Sequence, residues 1–275
     1  MPQRGATVAF DRVSKRYPGT TALEDLTLTV PAGEICALVG PSGGGKTTAL
    51  KAVNRLIEPT SGRVRIDGTD AMSVEPVALR RRIGYVIQNV GLFPHRTVAQ
   101  NVATVPELVG WPRERVRSRV SELLELVGLE PATYAARYPA QLSGGERQRV
   151  GVARALAAEP PVMLMDEPFA AVDPIVRERL QDEFLRIHER LGMTVIFVTH
   201  DIDEAIKMGD RVAVLQGGRL AQYAPPAELL AHPASDFVRE FVGVERWLKR
   251  FDVLAETGLL TVADVLARAR ERRQG

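Results

Sequence analysis

A chain of 275 residues with 45% apolar content can bury a sizeable core, and its single cysteine, Cys36, excludes an internal disulfide and fits a reducing compartment. The formal charge is only +2, so the basic pI does not by itself call for a nucleic-acid partner. No run approaches the ~20 apolar residues of a membrane span, and MPQRGATVAF lacks the apolar centre of a signal peptide, so the expected location is the cytosol, with any membrane work done through another subunit.

In chain order, residues 8–30 and 62–68 carry short strands and turns (VAF, LTLTV, GRVRIDG) suited to a small antiparallel layer. The runs ICALVG (35–40), IGYVI (83–87), VMLMD (162–166), TVIFVT (194–199) and RVAVL (211–215) read as strands, several without polar alternation and so buried on both faces. Helical patterns lie between them, which predicts an α/β fold around a mainly parallel core sheet. From about 97 to 160 only helical signals remain, read as a helical lobe inserted in the α/β body. In PIVRERLQDEFLRIHERLG, Asp173 can cap a helix, Pro174 suits its first position, Gly192 can end it, and Leu180, Phe184, Ile187 and Leu191 form its apolar stripe. The division expected is a body over 1–240 and a short helical tail over 241–275, ending in LLTVADVLARARERR.

The sharpest chemical signal is GPSGGGKTT, which meets G-x-x-x-x-G-K-[ST] between a strand and a helix. Gly40, Pro41, Ser42, Gly43, Gly44, Gly45, Lys46, Thr47 and Thr48 form the expected phosphate cradle: glycines let backbone N–H groups turn inward, and the helix start adds positive potential. Lys46 reaches the β and γ phosphates of ATP, and the Thr47 hydroxyl suits Mg²⁺. VMLMDEP supplies the acidic partner, with Asp166 for the Mg²⁺ shell and Glu167 for water. Pro168 disfavours helix at Glu167, so an extended Glu167 is expected, pointing away from Asp166. A second anion site is written in LSGGERQRV, where Ser143, Gly144 and Gly145 offer a hydroxyl and N–H groups at a helix start.

The set GPSGGGKTT, Gln88 in YVIQN, LSGGERQRV, VMLMDEP, Asp173 in AAVD and His200 in FVTHD resembles the ATPase subunits of ATP-binding cassette transporters, in order and spacing from about residue 6 to 240. The resemblance implies a P-loop NTPase that works as a head-to-tail dimer, either of two copies or with a paralogous ATPase, in which Ser143, Gly144 and Gly145 of one chain close over the ATP of the other. It also implies that Tyr17 stacks on adenine, although a tyrosine beside a turn is as often a packing residue. Gln88 would touch Mg²⁺ or the attacking water, His200 would contact the γ-phosphate, and Asp173 would communicate across the dimer, a role compatible with capping.

Two departures stand out. Glu146 occupies a position where glutamine is common, and a carboxylate near phosphates is unhelpful unless it faces away or pairs with Arg147 or Arg149. The loop before Asp173 reads Ala170, Ala171, Val172, where Ser or Gly, Ala and Leu are commoner.

The stretches GYVIQNVGLFPHRTVAQNVATVPELVGW and THDIDEAIKMGDRVAVLQGGRLAQYAPPAELLAHPASDFVREFVG are similar to the ATPases of bacterial importers for osmoprotectants such as glycine betaine, carnitine and choline. Transmembrane permease subunits, a solute-binding protein and a peripheral place on the inner face of the cell membrane follow from that likeness. Phe93, Pro94 and Val98 become candidate permease contacts, with packing inside the lobe the competing reading for Phe93. Importers for another small solute such as an amino acid, and soluble cassette ATPases of DNA repair or translation, are the alternatives. Arg80, Arg81 and Arg82 read as a solvated face, and no nucleic acid is expected.

Overall fold

The computed structural model describes residues 5–87, 91–170 and 172–243, so Gln88, Ala171 and the tail from 244 lie outside the described residues. The chain opens with β1 (Val8–Tyr17), β2 (Thr20–Val30), β3 (Ile35–Val39), α1 (Lys46–Val53), β4 (Ser61–Ile66), β5 (Thr69–Asp70), α2 (Pro76–Arg81) and β6 (Ile83–Val86). Four helices follow: α3 (Val98–Leu108), α4 (Arg113–Leu126), α5 (Pro131–Tyr134) and α6 (Gly144–Leu156). The α/β pattern then resumes with β7 (Val162–Asp166), α7 (Pro174–Leu191), β8 (Thr194–Val198), α8 (Ile202–Met208), β9 (Arg211–Gln216), β10 (Arg219–Ala224), α9 (Pro226–Ala231) and α10 (Asp236–Val242). Helix α10 runs across the boundary between 240 and 241 that the sequence suggested for the tail.

Two sheets carry the body. Strands β2-β1-β4-β5 form an antiparallel layer, and β10-β9-β3-β8-β7-β6 form the core sheet, parallel except for β10. The unbroken apolar runs have a direct cause: successive residues of one strand face two different cores. Ile35, Ala37, Val39, Met163, Met165, Val195 and Phe197 join the core shared with α3, α4, α6 and α7. Cys36, Leu38, Val162, Leu164, Ile196 and Val198 join the core shared with α1 and the antiparallel layer. Each Val, Leu, Ile, Phe or Met side chain among them contributes about 1.5–3 kcal/mol on burial, so a polar residue on either face of these strands is costly. Cys36 is fully buried, and that burial pushes its thiol up to about 12, which makes it an inert core residue.

Parallel pairing also positions the chemistry. Leu38 lies opposite Val198, and Val198 lies opposite Asp166, so the C-terminal ends of β3, β8 and β7 come level at one edge. That edge is where ligands bind in open α/β sheets. Helix α7 follows its predicted stripe, with Leu180, Phe184 and Ile187 buried and Leu191 half-buried, and Gly192 leaves the helix at φ 62° while donating to His188 O at 2.8 Å.

Candidate functional site

The loop between β3 and α1 folds as a cradle because glycine permits it. Gly40, Gly43 and Gly45 have φ of 146°, 78° and 92°, values that side chains rarely adopt. A Cβ on Gly45 would lie 2.4 Å from Ala22 O, and one on Gly40 would lie 2.1 Å from Leu215 O. The loop is thus packed against two strands on its outer side. Gly45 occupies the N-cap of α1 without a side-chain cap, leaving that helix start to its backbone alone.

Lys46 Nζ donates to Gly40 O at 2.7 Å and Pro41 O at 2.9 Å, which folds the amine back across the loop. Burial lowers its pKa, opposed by the carboxylates of Glu167 and Asp166. Thr47 Oγ1 donates to Asp166 Oδ1 at 3.1 Å, and burial raises the Asp166 pKa against that hydrogen bond. A hydroxyl beside a carboxylate is a hard-oxygen donor pair of the kind Mg²⁺ takes, and a glycine cradle with a central ammonium suits a polyphosphate. The residues present therefore fit Mg²⁺ and a nucleotide.

Glu167 departs from the expected extended form. Its φ is 48°, in the left-handed region. The following proline excludes the right-handed helical region but does not choose between the remaining two. Tertiary structure chooses: Glu167 N donates to Val198 O at 3.0 Å, continuing the β7–β8 ladder, and Ala170 N then turns back to Glu167 O at 3.3 Å. A left-handed non-glycine residue costs on the order of 1–3 kcal/mol and is typical of functional turns. The carboxylate that results lies 3.4 Å from His200 Nδ1, through Oε1. Glu167, His200, Lys46, Thr47 and Asp166 are thus gathered at one sheet edge. Tyr17, at the end of β1, is 44% exposed with the Lys15 amine 5.0 Å from its ring centre, which leaves its outer face available for stacking.

Ser143, Gly144 and Gly145 are elsewhere. With Glu146, Arg149, Val172, Asp173, Val176, Arg179, Leu180 and Glu183 they line a separate cavity of about 490 Å³ that includes no residue of the cradle. Ser143 caps α6 reciprocally with Glu146: Glu146 N donates to Ser143 Oγ at 3.3 Å, and Ser143 N donates to Glu146 Oε2 at 2.6 Å. The Ser143 side chain also acts on the Glu146 carboxylate, as a lesser cause of its low pKa.

Of the alternatives for Glu146, facing away or pairing with Arg147 or Arg149, the structure shows no hydrogen bond to either arginine. Tyr134 OH donates to Glu146 Oε1 at 2.6 Å, while Arg147 Nη1 turns to Leu142 O at 2.6 Å, and Arg149 acts on Glu146 only as a nearby charge. The Tyr134 hydroxyl, then the Ser143 N–H, lower the Glu146 pKa to about 2. The pattern Ser-x-x-Glu announces the capping half of this arrangement, but nothing local announces Tyr134.

A third feature is a cavity of about 340 Å³ between the body and the helices, lined by Tyr85, Ile87, Gly91, Phe93, Thr104 and Val105 and rimmed by Arg80, Arg81 and Arg154. Phe93 is 40% exposed and Pro94 is exposed, whereas Val98 is fully buried in the lobe core and cannot face a partner. Val98 opens α3 behind the Thr97 capping box, and that start turns it inward. Asn101, also buried, holds the loop through bonds to the backbone of Phe93, Arg96 and Thr97. Arg80 donates to Asn54 O and Arg55 O behind α1, while Arg81 and Arg82 are solvated as expected.

Comparison with known proteins follows this geometry. Residues 23–170 match the ABC transporter family. The chain is 53% identical over 241 residues, 87% of its length, to the glycine betaine/carnitine/choline transport ATP-binding protein of Bacillus subtilis, and spans 63% of that protein. It is 51% identical to the osmoprotectant import ATP-binding protein of Salmonella typhimurium, covering 90% of this chain and 65% of that one. With the glycine betaine uptake system ATP-binding protein of Escherichia coli it shares 50% identity over 86% of its own length and 76% of the relative's. Among solved structures, a dimeric ATP-binding cassette in a post-hydrolysis state bound to ADP and Pi aligns with a TM-score of 0.72 and 34% identity, over 80% of this chain and 98% of that one. The cassette cbiO1 of Clostridium perfringens, part of an ABC transporter complex, aligns with a TM-score of 0.76 and 30% identity, over 90% and 98%. The chain belongs to the ABC transporter family.

Proposed function

We propose that this chain is the ATP-hydrolysing subunit of an importer for a small solute, a quaternary-amine osmoprotectant in view of its relatives, and that it works as a head-to-tail dimer under transmembrane permease subunits fed by a solute-binding protein. The observation that carries the catalytic reading is the Glu167 carboxylate held 3.4 Å from His200 at the same edge as Lys46 and the Thr47–Asp166 pair.

In this reading ATP lies in the cradle with its phosphates against the N–H groups of residues 43–48 and the Lys46 amine. Thr47 and Asp166, with Gln88, would hold Mg²⁺, which supplies charge neutralisation on the phosphate oxygens. Glu167 accepts a proton from water as its oxygen bonds to the γ-phosphorus, the bond to the bridging oxygen breaks, and ADP leaves with that electron pair. His200 steadies the transferred group. Ser143 and Gly144 of the second chain complete the enclosure, and Asp173 lines the same cavity as they do.

Closure on ATP and opening after hydrolysis become the stroke delivered to the permease. The Phe93 cavity suits a short helix of that subunit. Its charged lining residues are all arginines, so an acidic side chain on the incoming helix is favoured. The place of work is the inner face of the cell membrane.

Glu167→Gln is the test. ATP should bind, hydrolysis should fall by about 10²–10⁴-fold, and a closed dimer should accumulate on size exclusion with ATP. Undiminished phosphate release would remove Glu167 as the base.

A further inference from the structure

His200 stands on a short turn whose two flanking residues are both held by groups outside the nucleotide motifs. Thr199, 2% exposed, accepts a hydrogen bond from Asp201 N at its hydroxyl, 3.0 Å, and donates the same hydroxyl to Glu204 Oε2. Thr199 N reaches Leu38 O on the cradle strand at 3.2 Å. Asp201 caps α8 through Oδ1, and its Oδ2 receives Arg177 Nη1 at 3.4 Å. Arg177 also donates Nη2 to Val172 O at 3.1 Å, and its backbone N donates to Asp173 O at 2.7 Å. The guanidinium thus bridges the loop of Asp173 and the turn of His200.

Glu204 is a costly residue for this place. It is 6% exposed, and burial raises its pKa to about 6 in spite of the Thr199 hydroxyl, with Asp201 adding to the rise and Arg177 opposing it. A carboxylate in a setting that disfavours its charge points to a role other than stability. The Asp-x-x-Glu spacing from Asp201 suggests a capping box, yet the carboxylate turns inward to Thr199, the residue immediately before His200.

We propose that Glu204 and Arg177 are positioning residues for hydrolysis: Glu204 fixes the Thr199 side of the turn, Arg177 fixes the Asp201 side and ties it to the Asp173 loop, and His200 is thereby kept within reach of Glu167. This rests on the role given to His200 above. Glu204 bonds Thr199, and Arg177 bonds Asp201 and Val172, none of them cradle residues, so each is assigned to act through His200.

The test is a double-mutant cycle on the full chain, with ATP turnover and ATP affinity measured separately. Glu204→Met and Arg177→Met should each lower kcat by about tenfold with KM for ATP changed less than about twofold, and each should add less than about twofold in a His200→Ala background. Thr199→Val should reproduce the loss and Thr199→Ser should restore it, which covers the case in which a Glu204 variant fails to fold. An equal tenfold loss with and without His200, or unchanged kcat in Glu204→Met or Thr199→Val, would overturn the proposal while leaving the role of His200 intact. Full turnover in His200→Ala alone would instead overturn that role, and this proposal with it.

Discussion

Helices α1 and α6 both begin on glycine-rich turns suited to an anion, and they solve the problem in opposite ways. At α1 the backbone does everything: Gly45 caps the helix from the left-handed region with no side-chain hydrogen bond, and the loop behind it is pressed against Ala22 and Leu23. At α6 side chains do the work, with Ser143 and Glu146 closing a capping box and Tyr134 anchoring the carboxylate. The glycines differ accordingly. A Cβ on Gly144 would meet nothing within 4 Å, and one on Gly145 only a Val176 methyl at 3.6 Å. Nothing in this chain's described residues demands glycine at either position; in the proposed dimer that demand would come from the second chain. The first turn is packed from behind by its own chain, and the second is open.

The largest effect expected from this contrast is at α1. Gly45→Ala forces a Cβ to within 2.4 Å of Ala22 O at a φ of 92°, and should destabilise the protein by about 2–4 kcal/mol and abolish ATP binding. A thermal melt and a nucleotide titration check both. Gly144→Ala should behave in the reverse sense. Helix propensity favours alanine, so stability should hold or rise by up to about 1 kcal/mol, ATP should still bind the single chain, and turnover should fall by at least about tenfold because the partner's nucleotide cannot be approached. Wild-type turnover in Gly144→Ala would mean that the second glycine turn serves no partner.

The same contrast separates what the sequence displays from what it hides. The cradle is legible because it is local: glycine spacing, a strand before it and a helix after it define the loop without reference to the rest of the chain. The sheet was legible too, since a strand facing two cores loses its polar alternation. Glu167 was legible as a residue but not as a conformation, because proline removes one backbone region and the Val198 carbonyl on another strand selects between the others. Val98 was misjudged as a surface contact for a related reason: its burial is set by α4 and α6, which an apolar residue behind a threonine cap does not reveal. Tyr134 lies twelve residues and one loop from Glu146, and Arg177 lies on a different helix from Asp201. Partners of that kind are written in topology, and only the structure displays them.

The smallest expected effect isolates the side-chain solution at α6. Tyr134→Phe removes the first cause of the low Glu146 pKa and leaves the Ser143 N–H in place. Because Glu146 titrates at about 2 in the folded chain against an ordinary 4.5, its stabilising contribution is complete above pH 4.5 and is lost as pH falls towards 2. Glu204 runs the other way. With a folded pKa of about 6, above its ordinary 4.5, its cost is complete above pH 6 and is relieved as pH falls from 6 to 4.5, so the two carboxylates act in separate windows. Tyr134→Phe should therefore be slightly less stable than the wild type at pH 7, because a hydrogen bond to a charge is lost in a setting that solvent screens. Denaturant titrations at several pH values should show that gap unchanged between pH 6 and 4.5 and closing below 4.5. A gap that stays constant to the lowest pH at which the protein folds would assign the loss to packing of the ring, and the claim that Tyr134 acts by holding the carboxylate would fail.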